Sequence, residues 1–296
     1  MMRTQATECA KDAEVGNGLP GGIMENHLTQ CRLVFIQRSE RYSPNSVDKD
    51  AAILRAVAEK MAQQQGNEIL VVSEDEQPFP SADVYISMGR HPATLQYLTQ
   101  QQQQGRLVIN KPEAVHLCCH RMMLGEVLKL AGVGVAPEEG SYGYWLKRAD
   151  GVAEKQGDVR YVPNRQACID MQRQMKQQGM KQVQVSAHVP GDVVKFYGVR
   201  GTPFFFHCYP NDDGNTKFGD ERQNGITHHY PFSVEELHSV AAKAARAVDI
   251  DVYGGDCIVR ADGSFVIIDF NDWPSFSRCC MQAAEAIAQC IKKWME

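Results

Sequence analysis

The sequence predicts a mixed α/β and α+β fold, in which a small parallel lobe precedes lobes built on long hairpins. Strand patterns alternate with amphipathic helix patterns as far as Asn110, and this alternation is typical of a parallel sheet. After Val135 the pattern changes, because paired and successive strands follow with fewer helices between them. A chain of 296 residues is long enough for two or three such lobes.

The first lobe contains four predicted strands and two predicted helices. The segment CRLVFIQ (Cys31–Gln37) is the first strand, and the helix after it has Asp48 near its start and Gly66 at its end. The other elements of this lobe are strands at 68–75, 82–89 and 106–110 and a helix at 91–105. The lobe has no GxGxxG motif, so the sequence does not support a dinucleotide site here.

The remainder of the chain reads as hairpins and single helices. Two short helices at 112–120 and 121–132 lead to strands at 142–148 and 157–163, which are predicted to pair around the loop 149–156. The later elements are a helix at 165–179, strands at 182–191, 192–201 and 203–210, a helix at 233–250, a hairpin at 254–271 and a closing helix at 278–296. The three successive strands suggest one antiparallel sheet, and Asp262-Gly263 supplies the turn of the last hairpin.

Composition excludes several classes of protein. The net charge of −5, with 23% charged and 43% hydrophobic residues, argues against nucleic acid or an anionic membrane as a partner. No apolar stretch approaches the roughly 18 residues of a membrane span. Residues 1–26 lack the apolar core of a signal peptide. They are predicted to form a flexible segment. The ten cysteines form no CxxC pair, which favours reduced thiols and a cytoplasmic location.

Oxygen-bearing side chains cluster on the last predicted hairpin. Asp256 lies on its first strand, and Asp269 and Asn271 lie on the second strand, where alternate residues share a face. A turn centred between Asp262 and Gly263 places Asp256 opposite Asp269. Two opposed carboxylates repel each other unless a cation lies between them, and carboxylate and amide oxygens are ligands suited to Mg²⁺. The alternative is an ordinary polar turn at the end of a buried strand.

This hairpin resembles the magnesium-binding hairpin of the ATP-grasp enzymes. It reads Gly255-Asp256 and then Asp269-Phe270-Asn271-Asp272-Trp273-Pro274, and the resemblance extends from about Arg32 to the end of the chain. It implies a flexible segment at 1–26, an N-terminal α/β domain at 27–111, a central subdomain at 112–190 and a C-terminal subdomain at 191–296. The last two subdomains would sandwich ATP, with Mg²⁺ (or Mn²⁺) held by Asp256, Asp269 and Asn271.

The resemblance also implies which residues contact the nucleotide. Arg121, Lys147 and Lys195 would contact phosphates, although Lys147 also fits an ordinary strand end and Lys195 an edge-strand charge. Arg121 replaces the lysine that the family usually has at this position. The hinge segment VQVSAHVPGD would supply the remaining cofactor contacts, namely Ser186, Ala187, His188 and Val189 for the adenine and Asp192 for the ribose. Ala187 stands where glutamate is common in the family.

The activity implied by the resemblance is ATP-dependent carboxylate–amine or carboxylate–thiol ligation through an acyl-phosphate. Lys195 and Arg222 would be the catalytic residues, and the loop from Ala149 would cover the phosphates. The partners would be ATP and a small-molecule or peptide carboxylate, with a homodimer as the commonest assembly. A kinase acting on a polyol or inositol phosphate, or a non-catalytic nucleotide-binding protein, remains an alternative.

Overall fold

The computed structural model describes residues 31–63, 66–149, 156–213 and 224–296. Three of the sequence predictions therefore lie outside the described residues: the flexible segment at 1–26, most of the loop at 149–156, and the side chain of Arg222. The strands are β1 Cys31–Gln37, β2 Asn67–Ser73, β3 Val84–Ser87, β4 Leu107–Ile109, β5 Tyr144–Arg148, β6 Val159–Val162, β7 Val183–Ala187, β8 Asp192–Val199, β9 Phe205–Cys208, β10 Val252–Val259 and β11 Phe265–Asp272. The helices are α1 Val47–Ala62, α2 Pro92–Gln103, α3 Pro112–Cys119, α4 Arg121–Leu130, α5 Arg165–Gln177, α6 Val234–Val248 and α7 Cys280–Met295.

The first lobe is a parallel sheet with helices on both faces, as predicted. Its strand order is β2-β1-β3-β4, and every neighbouring pair is parallel. Because side chains alternate along a strand, Leu33 and Phe35 of β1 join the core formed with α1 and α7, while Val34 and Ile36 join the core that includes Leu98 of α2. The C-terminal helix α7 therefore packs against the first lobe.

The central part of the chain forms a three-stranded antiparallel sheet with the order β6-β5-β7. The predicted pairing of β5 with β6 is confirmed, and α5 covers this sheet with its first turn capped by Asn164, whose side chain accepts a hydrogen bond from the Ala167 N–H. The expectation of one sheet for the three strands after α5 is wrong. The first of them, β7, pairs with β5, whereas β8 and β9 pair with each other in another sheet.

The change of sheet between β7 and β8 has a local cause at Gly191. Its φ of +150° and the 2.3 Å that would separate an added Cβ from the Val259 carbonyl oxygen both require glycine. The chain can therefore turn closely past β10 and enter the second antiparallel sheet, whose strand order is β11-β10-β8-β9. The predicted boundary between the central and C-terminal subdomains, at 190/191, falls in this turn. The predicted boundary between the N-terminal domain and the central subdomain, at 111/112, falls between β4 and α3. Both domain boundaries stay predictions.

One face of this four-stranded sheet packs on helices and the other faces the middle of the molecule. Val194 and Phe196 of β8 are buried with residues of α4 and α6. The alternate residues Val193, Lys195 and Tyr197 line a large cavity on the opposite face. None of the helices in the described ranges has both the length and the apolar character needed to cross a bilayer.

Candidate active site

A cavity of about 880 Å³ lies between the two antiparallel sheets and the first lobe. It brings together most of the residues predicted from the sequence. These are Arg121, Lys147, Ser186, Ala187, His188, Val189, Lys195, Asp256, Asp269 and Asn271. They come from α4, β5, β7 and the turn after it, β8, β10 and β11. Residues that are up to 150 positions apart in the sequence thus meet in one cavity.

The acidic hairpin pairs the two predicted carboxylates, although near its turn Val259 pairs with Phe265, one residue away from the register that a turn centred between Asp262 and Gly263 gives. Asp256 pairs directly with Asp269, and an irregularity follows between Asp256 and Cys257. Gly255 permits this close pairing, since an added Cβ would lie 2.4 Å from the Asp269 carbonyl oxygen and 2.5 Å from the Phe196 ring. The hairpin therefore holds two carboxylates opposite each other on the wall of the cavity, with the Asn271 amide beside them.

Positive side chains compensate this pair of carboxylates. Lys195 Nζ lies 2.9 Å from Asp256 Oδ1, and Arg121 Nη1 lies 2.7 Å from Asp269 Oδ1. Burial alone would raise the pKa of Asp269, but the charges of Arg121 and Lys147 outweigh burial and hold that pKa well below its ordinary value. Burial lowers the pKa of Lys147 despite the opposing effect of Asp269. The charged form of the Asp269 carboxylate is therefore strongly favoured in this setting.

The charge of the whole cavity is opposite to that of the chain. Seven lysine and arginine side chains and four aspartates are among its lining residues, whereas the chain carries a net charge of −5. The positive side chains are Arg38, Lys49, Arg90, Arg121, Lys147, Lys195 and Arg278, and the negative ones are Asp50, Asp256, Asp269 and Asp272. An excess of positive charge in a partly desolvated cavity favours an anionic ligand.

The side of the cavity formed by the hinge segment carries one imidazole ring packed with two aromatic rings. The indole N–H of Trp145 donates to Nδ1 of His188 over 3.0 Å, and the Tyr161 ring lies edge-on to His188 with centroids 5.5 Å apart. Trp145 lines the cavity. The Ala187 N–H donates to the Pro137 carbonyl oxygen and the His188 N–H to that of Gly143. Ala187 can therefore offer only its carbonyl oxygen to a ligand.

The His188–Trp145 hydrogen bond predicts a pH dependence of stability. Burial lowers the pKa of His188 from the ordinary 6.5, and a protonated Nδ1 could not accept the indole N–H. The unfolded chain takes up this proton at a higher pH than the folded chain, so the free energy of unfolding should fall as the pH drops below about 6.5. Denaturant titrations at several pH values should show a steeper fall for the wild type than for His188→Gln. Equal pH slopes would contradict this assignment.

Two arginines that the sequence reasoning missed join the first lobe to the acidic hairpin. Arg90 makes two hydrogen bonds to Asp272, and Arg38 Nη2 donates to the Trp273 carbonyl oxygen over 2.7 Å. Arg38 Nη1 donates to Asp50, and Arg38 Nη2 also lies 3.6 Å from Asp272 Oδ2. Burial opposes the charge of Arg90, but the Asp272 carboxylate outweighs it and raises the pKa of Arg90. We call the three side chains Arg38, Arg90 and Asp272 the interlobe clamp.

Comparison with known proteins assigns the architecture. A D-alanyl-alanine synthetase A of Vibrio cholerae superposes with a TM-score of 0.64 at 8% identity, covering 90% of this chain and 98% of that one. A D-alanine–D-alanine ligase of Bacillus anthracis complexed with ATP gives 0.62 at 10% identity, covering 90% and 100%. A RimK domain ATP-grasp protein of Sphaerobacter thermophilus gives 0.60 at 16% identity, covering 88% and 100%. This chain has an ATP-grasp fold. No family model and no curated protein matches the sequence.

Within the ATP-grasp fold, one predicted site residue with a described position does not line the cavity. Asp192 is 2% exposed, and its carboxylate oxygens accept the backbone N–H groups of His228 at 2.8 Å and Tyr230 at 2.9 Å. It fixes the segment that follows Asn224 and does not reach the cavity. Arg222 lies outside the described residues, whereas Asn224 lines the cavity and donates to the carbonyl oxygens of Val189 and Gly191.

The acidic hairpin of this ATP-grasp fold has the donor set that a hard divalent cation requires. Within the described ranges no three histidine, cysteine or acidic side chains cluster as a metal site. The set at the hairpin is instead two opposed carboxylates and one amide, which suits Mg²⁺ that keeps waters and shares phosphate oxygens. The ion pairs with Lys195 and Arg121 use one oxygen of each carboxylate. The residues therefore fit a magnesium ion that arrives together with a nucleotide.

Proposed function

We propose that this chain is an ATP-dependent ligase that joins a carboxylate to an amine or a thiol. The observation that carries the proposal is the acidic hairpin inside a positively charged cavity. Asp256 and Asp269 face each other, while Lys195, Arg121 and Lys147 surround them. A plain polar turn would need neither the opposed carboxylates nor three cations on the same wall. The ATP-grasp architecture, which the chain shares with ligases over about 90% of its length, supports this proposal.

Each part of the cavity has a role in this proposal. Asp256, Asp269 and Asn271 would hold Mg²⁺, which, when bound, neutralises the phosphate charge and favours phosphoryl transfer. Lys195 and Arg121 would turn from the carboxylates, and Lys147 from the Ile268 carbonyl oxygen to which it donates, towards the phosphates. Val193, Ile258 and Ile268 supply apolar walls near the hinge, and the Ala187 carbonyl oxygen and the Val189 backbone would meet the adenine edge.

The reaction requires positioning and charge stabilisation more than a nucleophilic side chain. A substrate carboxylate oxygen attacks the γ-phosphorus, and ADP leaves with its bonding electron pair. The nucleophilic nitrogen or sulfur of the second substrate then attacks the acyl carbon and expels inorganic phosphate. Lys195 and Arg222 are the residues that we assign to stabilise the transferring phosphoryl group, since charge accumulates on its oxygens during both steps. The substrate would enter from the end of the cavity next to the interlobe clamp.

Trapping with hydroxylamine tests this proposal. The protein is incubated with Mg-ATP, a panel of amino acids, dicarboxylic acids and peptides, and hydroxylamine, and both ADP and hydroxamate are measured. An acyl-phosphate gives a hydroxamate in amounts equal to ADP for at least one carboxylate. Lys195→Ala should lower that rate by about 10²–10³-fold. ADP formation with a stable phosphorylated product and no hydroxamate would instead indicate transfer to a hydroxyl group and contradict the ligase.

A further inference from the structure

The end of the cavity furthest from the hinge contains a buried carboxylate that is incompletely satisfied. Asp50 lies in the first turn of α1, is 2% exposed and lines the cavity. Its Oδ2 lies 3.4 Å from Arg38 Nη1, whereas its Oδ1 has no hydrogen-bond partner. A buried charged oxygen without a donor costs free energy, so a donor group is expected to occupy this position in the working protein.

Arg38 makes no hydrogen bond to this oxygen, and three of its N–H groups bond to other acceptors. Its Nε donates to the Met88 carbonyl oxygen over 3.2 Å, and its Nη2 donates to the Trp273 carbonyl oxygen over 2.7 Å. These two bonds hold the guanidinium between the backbone just after β3 and the backbone just after β11. Arg38 therefore holds one oxygen of the Asp50 carboxylate in place, while the other oxygen, Oδ1, is buried without a donor.

A second buried group beside Arg38 also lacks a partner. The indole Nε1–H of Trp273 is a donor without an acceptor, and Trp273 is fully buried and lines the same cavity. Arg38 donates to the Asp50 carboxylate and to the backbone carbonyl oxygen of Trp273, so the two residues lie beside the same guanidinium group. They offer one acceptor and one donor, which is the complement of a ligand that carries an amine and an oxygen acceptor.

We infer that Asp50 binds the amine of the second substrate, and that the Trp273 indole N–H binds an oxygen of the same molecule. The inference rests on the proposed function, and it identifies the nucleophile as an amine that carries a nearby carboxylate or hydroxyl oxygen, rather than a thiol. Asp50 accepts a hydrogen bond from the nitrogen and holds it in the part of the cavity that adjoins the acidic hairpin. The specificity for this substrate would thus reside in the first lobe.

The test measures thermal stabilisation by glycine, ethylamine and propionate, each with and without Mg-ADP. Wild type should respond to glycine most strongly and to ethylamine more weakly. Asp50→Asn preserves the shape of the side chain but removes its charge, and it should lower the apparent affinity for both amines by at least about tenfold. Asp48→Asn, which changes an exposed carboxylate of the same helical turn, is the matched control and should bind like wild type. Trp273→Phe should reduce the advantage of glycine over ethylamine.

The outcomes separate this inference from the proposed function. Amine binding that survives Asp50→Asn, or a wild type that responds to Mg-ADP but to no amine, would overturn the amine site and leave water as the occupant. A loss of amine binding in Asp50→Asn with an unchanged Mg-ADP response supports the site and shows that the variant is folded. A wild type that responds to amines through Asp50 but not to Mg-ADP would support the site while contradicting the proposed function.

Discussion

The double replacement Asp269→Asn and Asn271→Ala is expected to abolish the dependence of ATP affinity on Mg²⁺. In wild type, Mg²⁺ should strengthen ATP binding, because the proposed site would join the hairpin oxygens to the phosphates through the ion. In the double variant the ratio of the two dissociation constants should approach one. Calorimetric titration of ATP with Mg²⁺ and with EDTA measures this ratio directly.

The same variant should bind metal-free ATP at least as well as wild type does. Asp269 is the partner of Arg121 and the charge that Lys147 faces, so its neutralisation frees both cations for the phosphates. Asp262→Asn is the matched control, because it changes an exposed carboxylate at the turn of the same hairpin and retains an oxygen that accepts from Ser264. If the double variant kept the Mg²⁺ dependence of wild type, the hairpin would not be the metal site.

Asp272→Asn is expected to destabilise the fold by about 3–5 kcal/mol, because it leaves two buried guanidinium groups without their shared carboxylate. The Asp272 side chain is 1% exposed and those of Arg38 and Arg90 are 6% and 9% exposed. Arg90 would remain in a poorly solvated position with a neutral amide in place of its counterion, and Arg38 would keep only Asp50 as a counterion. Urea titration followed by far-ultraviolet circular dichroism measures the change in the free energy of unfolding.

The control for Asp272→Asn is an aspartate whose ion pairs are exposed. Asp249 pairs with Arg200 and Lys111, and its side chain is 52% exposed, so Asp249→Asn should cost only about 0–1 kcal/mol. Asp249 has a φ of +59°, a conformation that asparagine adopts readily. Similar losses in the two variants would show that the interlobe clamp contributes no more than a surface ion pair.

Local sequence rules predicted the acidic hairpin and its opposed carboxylates, but not the irregularity in its register. A two-residue turn at Asp262-Gly263 predicts that Val259 pairs with Val266, whereas Val259 pairs with Phe265. The irregularity between Asp256 and Cys257 then shifts the register by one residue, so that Asp256 still lies opposite Asp269. The same rules placed β1 at its observed limits and Ser233 at the start of α6, where its hydroxyl accepts the Glu236 N–H. In each case the determinant lies within a few residues of the element.

The interlobe clamp depends on contacts between distant parts of the chain and was therefore missed. Arg38 is 235 residues from Trp273, and Arg90 is 182 residues from Asp272. One signal was present, since Arg38 follows β1 and Arg90 lies just beyond β3. The carboxyl ends of parallel strands meet at one edge of a sheet, where binding residues commonly collect. The sheet assignment of β7 was wrong for a similar reason. Its partner strand β5 is separated from it in the sequence by β6 and α5.

Locating the metal is the most direct test of the central claim that the acidic hairpin and the cations around it form a Mg-ATP site. Crystals grown with Mn²⁺ and a non-hydrolysable ATP analogue would reveal the ion by its anomalous scattering. We expect a peak within about 2.0–2.3 Å of oxygen atoms of Asp256, Asp269 and Asn271 and of the analogue's phosphates. Nucleotide bound without a metal peak at the hairpin, or a peak held by other residues, would contradict the account.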